Sequence, residues 1–135
     1  MGKNIAAGVA GVLIAIGLVW IIEMIGHTVY PAPAGIDFTD TDAVRSYISG
    51  LPPGAFLFVG AAWFIATLGG TMAACHVGTA ASRVFALVVG GLMLVATAFN
   101  LATIPHPLWF SITGIAGIIV AAWLGMILSD KANNS

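Results

Sequence analysis

The chain has 135 residues, of which 60% are hydrophobic and only 7% charged, with a formal net charge of −1. Soluble domains carry roughly 25% charged residues, so this chain lacks the polar surface to enclose a core in water, and a mean hydropathy of +1.07 excludes disorder. Four basic residues cannot follow a phosphate backbone, which excludes nucleic acid as a partner, and a single cysteine cannot close an intrachain disulfide. What remains is an integral membrane protein whose main partner is the lipid bilayer.

A hydrocarbon core of about 30 Å takes roughly 20 apolar residues per helix. Ile5 to Ile22 runs without a charge, and with the residues around Glu23 it predicts a first span over 5–28. Lys3 and Ala32-Pro33-Ala34 have some features of a cleaved leader, but the apolar run is long for one and Glu23 and His27 intervene; the segment is expected to be retained. A second span is predicted over 54–77. The apolar stretch between Arg83 and Asp130 suffices for two more, over 84–104 and 108–128, because Pro105-His106-Pro107 cannot continue a helix. These runs lack strict alternation and are about twice too long for barrel strands. The expected fold is all-α: one transmembrane domain over 1–135, forming an up-down four-helix bundle.

The loop over 29–53 opens with Pro31-Ala32-Pro33 and closes with Pro52-Pro53-Gly54. Thr39 and Asp42 stand at capping-box spacing and predict a short helix stopping near Gly50. Ala43, Val44, Tyr47 and Ile48 share one face of it, and Asp42, Arg45, Ser46 and Ser49 the other. Such a helix lies on the membrane surface or caps the bundle.

Lipid is as apolar as leucine, so membrane helices associate through close backbone approach and hydrogen bonds between helices. Small residues recur every four positions as Ala7, Gly11 and Ala15 in the first span, Ala62, Ala66, Gly70, Ala74 and Gly78 along the second, and Gly117, Ala121 and Gly125 in the fourth. Short connections after the second and third spans predict antiparallel neighbours. With the N-terminus inside, Lys3, Arg83 and Lys131 fall on the cytoplasmic side and only Arg45 outside, as the positive-inside rule requires. The sequence thus predicts a bacterial inner-membrane protein with both termini cytoplasmic. Tyr30, Tyr47 and Trp109 fall near the outer interface as aromatic anchors.

Glu23 is the most informative residue. It lies about 8–10 Å below the outer end of the first span, where a charge is costly unless the carboxyl is protonated or faces a polar partner. His27 follows on the same face, with Trp20 one turn below and Tyr30 one turn above. Thr97, Asn100 and Thr103 recur near the outer end of the third span, and His106 occupies the turn after it. His76, beside Cys75, falls about 25–30 Å away at the other membrane face. Adjacent residues on a helix point about 100° apart, so Cys75 and His76 do not form a nucleophile–base pair. Glu23, His27 and His106 form the one conceivable metal-ligand set. No HExxH, nucleophile elbow, phosphate loop or dinucleotide fingerprint occurs, and the sequence names no cofactor and assigns no catalytic residue.

Glu23-Met24-Ile25-Gly26-His27-Thr28 resembles the membrane-embedded glutamate segment of the small multidrug resistance transporters, which are also four-helix proteins. That resemblance covers six residues. It implies a glutamate exchanging protons for cationic substrates, although the long first loop and the position of Glu23 near a helix end depart from that family. The wider layout, with Glu23, Gly26-His27, Tyr30-Pro31 and Pro105-His106-Pro107-Leu108-Trp109, resembles small four-helix bacterial membrane proteins and implies no activity. The leading expectation is an outward-facing polar pocket that binds a small ligand or proton, alone or in a homo-oligomer or larger complex. Glu23 is its switchable group, His27 and His106 are proton partners, Asn100 is a hydrogen-bond anchor, and Trp20, Tyr30 and Thr103 stand nearby. The alternatives are an accessory or scaffold subunit in which these residues only join helices, and a metal-dependent membrane enzyme.

Overall fold

A computed structural model of the chain describes residues 2–77 and 82–133. They form five helices: α1 over Gly2–Val29, α2 over Thr41–Ser49, α3 over Pro53–Val77, α4 over Ser82–Thr103 and α5 over Leu108–Asn133. All but α2 are long and apolar enough to cross a membrane. Each carries large apolar side chains outward, among them Leu13 on α1, Leu57 on α3, Val95 and Phe99 on α4 and Ile112 on α5. An exposed apolar shell of this extent belongs in lipid, and the chain is a multi-pass helical membrane protein.

Helix boundaries follow local chemistry. Pro53 opens α3, where its missing N–H costs nothing. Thr103 ends α4 just before Pro105, and the Pro107 carbonyl accepts the first amides of α5, from Phe110 at 3.0 Å and Ser111 at 3.1 Å. The cap of α2 differs from expectation. Asp40, not Thr39, is the N-cap, and its carboxylate accepts from the amides of Asp42 and Ala43. Thr39 is engaged instead by Asp37, which accepts from its amide at 2.8 Å and its hydroxyl at 2.7 Å. Gly50 ends α2 in a right-handed conformation, its amide shared between the Ser46 and Tyr47 carbonyls.

The hub of the bundle is α3, which packs against α1, α4 and α5, whereas among the described residues no Cα of α1 comes within 8 Å of a Cα of α5. Its small-residue ridge is buried at Ala62, Ala66, Gly70 and Ala74; Gly78 lies outside the described residues. Ala7, Gly11 and Ala15 of α1 are buried to meet it, as are Ala121 and Gly125 on α5. The closest crossing is backbone to backbone: a Cβ added at Gly70 would lie 2.7 Å from the Gly11 carbonyl oxygen, and one at Gly11 2.6 Å from the Gly70 oxygen. Thr67 and Thr71, fully buried on α3, donate to the Trp63 and Thr67 carbonyls, so the hydroxyls enter the core without losing a partner.

At the end of the bundle away from α2, Arg83 at the start of α4 forms an ion pair with Asp130 near the end of α5.

Gly70→Leu should separate α1 from α3 at a cost of about 1–3 kcal/mol, the usual range for overpacking. The thermal midpoint in detergent should fall clearly, whereas Gly91→Leu, at a position with open space around it, should leave it nearly unchanged. Equal midpoints for the two variants would remove the crossing from its central place.

Candidate functional site

At the α2 end, elements distant in sequence enclose a cavity of about 240 Å³. α1 contributes Glu23, Gly26, His27 and Tyr30; α3 contributes Phe56, Phe58 and Val59; Asn100 comes from α4 and His106 from the following turn. α2 closes the remaining side with Val44, Tyr47 and Ile48, aided by Phe38 and Leu51. The apolar face expected for α2 is therefore turned inward, and its polar residues Asp42, Arg45, Ser46 and Ser49 are exposed. No Cα of α2 comes within 8 Å of a Cα in another helix. Side chains alone hold it in place: Ile48 and Leu51 pack on the cluster of Phe56, Trp63 and Phe110, and Tyr47 meets Phe38 edge to face.

The polar groups take distinct positions in this frame. Glu23 is half-buried, with the Trp63 indole and His27 close enough to its carboxylate to interact with it. No hydrogen bond joins Glu23 to Asn100 or His106 among the described residues. A direct Glu–His–Asn network is replaced by a shared cavity wall. Tyr30 crosses toward α3, where its ring lies 6.0 Å from Phe58 and its hydroxyl fills the space beside Gly54.

His106 sits in a ring of aromatic side chains. It stacks on Phe110 at 5.2 Å and lies 6.2 Å from Phe56 and 6.4 Å from Trp63. Its Nδ1 is 2.8 Å from the Ile104 carbonyl. A carbonyl only accepts, so Nδ1 donates, and in the neutral ring Nε2 keeps its lone pair. Burial lowers the affinity of the imidazole for a proton, opposed in part by that backbone bond.

The cavity thus gathers Glu23, His27, Tyr30, Asn100 and His106. Two other expected residues stand outside it. Trp20 is 66% exposed on the lipid side of α1, because one turn below Glu23 that face has rotated past the α3 contact. Thr103 is exposed and donates to the Phe99 carbonyl of its own helix. Among the described residues no three His, Cys, Asp or Glu side chains are grouped to hold a metal ion. Cys75 is buried beside Ser129, while His76 is exposed with its Nδ1 3.1 Å from the Met72 carbonyl of its own helix.

Trp63 was not singled out by the sequence as a site residue. Its one signal was position: in the register set by Gly26 against Phe58 and Gly69 against Leu18, it lies opposite Glu23.

No family model matches the chain, and neither a curated protein nor a solved structure is significantly similar to it.

The lowered proton affinity of His106 has a definite sign in stability. The unfolded chain, with an ordinary histidine value of 6.5, takes up the proton first as pH falls. The stability the neutral ring confers is therefore complete above about pH 6.5 and declines as pH drops below it. The gap in thermal midpoint between wild type and His106→Asn should narrow from pH 7.5 to pH 5.5. A gap that holds constant over that range contradicts the burial of a neutral imidazole.

Proposed function

We propose that this membrane protein binds a small amphipathic ligand in the cavity beneath α2, with Glu23 as the anchoring and proton-switchable group. The observation that carries this reading is the convergence of Glu23, Asn100 and His106, from separate elements, on one aromatic-lined space. At about 240 Å³ it is smaller than the roughly 300–1,000 Å³ of sites for drug-sized ligands, so the ligand is small. A carboxylate among aromatic faces suits a ligand carrying a positive charge or an N–H donor, because ring faces and carboxylate attract the same end of it. Asn100 supplies a hydrogen bond with either polarity. His106 offers an acceptor at Nε2, and His27 stands exposed beside Glu23. Protonation of Glu23 removes the counter-charge and releases a cation, which makes proton binding and ligand binding competitive.

The same reading places the chain in a cell inner membrane with the α2 end outward and both termini cytoplasmic. Its support is Lys3, Arg83 and Lys131 at one end of the bundle against Arg45 at the other. The cavity then opens toward the outer leaflet.

The probe for the site is benzyltrimethylammonium, whose charge is permanent and whose ring is apolar. Calorimetric titration of the detergent-purified protein at pH 7.5 should show binding that Glu23→Gln weakens at least about tenfold, a loss of ~1.4 kcal/mol. Equal binding by a folded Glu23→Gln protein removes Glu23 as the anchor and leaves these residues as helix contacts of an accessory subunit. Orientation has its own test: a fluorescent protein fused to the C-terminus should fold and fluoresce, and alkaline phosphatase at the same point should be inactive. The opposite pattern inverts the topology.

A further inference from the structure

We propose that His106 selects the ligand: its Nε2 accepts a hydrogen bond from the charged head, so the cavity takes a primary ammonium in preference to a quaternary one. The inference rests on the ligand-binding reading above and narrows the class of ligand.

Three observations converge. First, the imidazole is fixed in one tautomer. Its Nδ1 lies 2.8 Å from the Ile104 carbonyl oxygen, and moving that proton to Nε2 would set two lone pairs against each other. Second, the ring is fixed in place. It stacks on Phe110 at an interplanar angle of 25°, while Phe56 and Trp63 approach it at 68° and 60°. Neighbours on its face and its edges leave it little room to turn. Third, Nε2 is open. Among the described residues no hydrogen bond reaches it, and no buried side-chain nitrogen or oxygen lacks a partner. Nε2 is therefore an accessible atom, on a residue that lines the cavity. The Asn100 carboxamide, also on the cavity wall, is accessible and unbonded in the same way.

An acceptor that cannot turn into a donor discriminates between ligands of equal charge. A protonated primary amine carries three N–H donors. The Glu23 carboxylate, the Asn100 side-chain carbonyl and His106 Nε2 bring acceptors to one cavity from α1, α4 and the turn after it. A quaternary ammonium offers its charge to Glu23 and the ring faces but nothing to the two neutral acceptors. Those would lose water without gaining a partner, and a site built to hydrogen-bond an N–H rejects the analogue that lacks it.

The N-methyl series of benzylammonium tests the selection, because each methyl group removes one N–H and keeps the charge. In calorimetric titrations of the detergent-purified protein at pH 7.5, benzylammonium should bind at least about tenfold more tightly than benzyltrimethylammonium, the scale of one hydrogen bond to a charged group. His106→Asn keeps an N–H for the Ile104 carbonyl and withdraws the acceptor at Nε2. It should weaken benzylammonium about tenfold more than it weakens benzyltrimethylammonium. In ¹⁵N spectra, with the three histidines assigned by single variants, His106 should show a protonated Nδ1 and a bare Nε2. Benzylammonium should move that Nε2 resonance more than benzyltrimethylammonium does.

Equal affinity for the two ends of the series overturns the selection, as does a proton resident on Nε2 or a failure of benzylammonium to bind. If benzyltrimethylammonium binds through Glu23 while His106→Asn weakens both probes alike, the binding site stands and the selector falls. If His106→Asn removes the preference for the primary amine while Glu23→Gln changes nothing, the anchor falls and the selector stands. Should His106→Asn fail to fold, the methyl series and the ¹⁵N shifts of the wild-type protein still decide.

Discussion

Inside a bilayer no solvent drives apolar faces together, so helices that associate must do so by fitting closely or by sharing polar groups. The crossing of α1 and α3 at Gly11 and Gly70 meets the first condition: each carbonyl occupies the space where the other residue would carry a Cβ. Once the two backbones touch there, the antiparallel register toward the α2 end is fixed. Gly26 meets Phe58 and Leu18 meets Gly69, and Glu23 has to emerge across from Trp63. The polar site depends on a contact made entirely by groups without side chains.

The second condition appears higher in the same pair of helices. A carboxylate within the span is costly next to lipid, and turning it toward α3 places it near the Trp63 indole, a histidine four residues on, and a cavity instead of acyl chains. The short α2 helix completes the enclosure. Its apolar face needs cover and the cavity needs a wall, so one contact answers both demands. Proline pairs on either side keep the loop from extending the spans, and Asp40 fixes where the helix begins. Because side chains alone hold α2, its position is set by Ile48, Leu51 and the Phe38–Tyr47 pair more than by backbone geometry.

Much of this was legible in the sequence, for physical reasons that vary by feature. The four spans follow from length and apolarity, which no tertiary contact can override in lipid. The small-residue ridges were readable because a four-residue period places them on one helix face. The cap of α2 was misplaced by one residue. Thr39 and Asp40 both offer oxygens at a helix start, and only the turn made by Asp37 shows that Thr39 is already engaged. Trp20 was grouped with Glu23 by spacing on one helix, but spacing cannot say how wide the face toward α3 is. Thr103 had the same fault. Trp63 was hidden for the converse reason: its place near Glu23 depends on the register between two helices, which no single helix records. In an apolar run, a buried tryptophan looks like any other large side chain.

The two ends of the bundle are fastened by different forces. Near α2 the closing contacts are stacked rings and aliphatic side chains, whereas the far end is tied between α4 and α5 by Arg83 and Asp130, both accessible to water. Exposed ion pairs contribute little and fade as ionic strength rises, while packed rings do not sense dissolved ions. Concentrated electrolyte therefore weakens one tie at the far end and none of those around the ringed chamber.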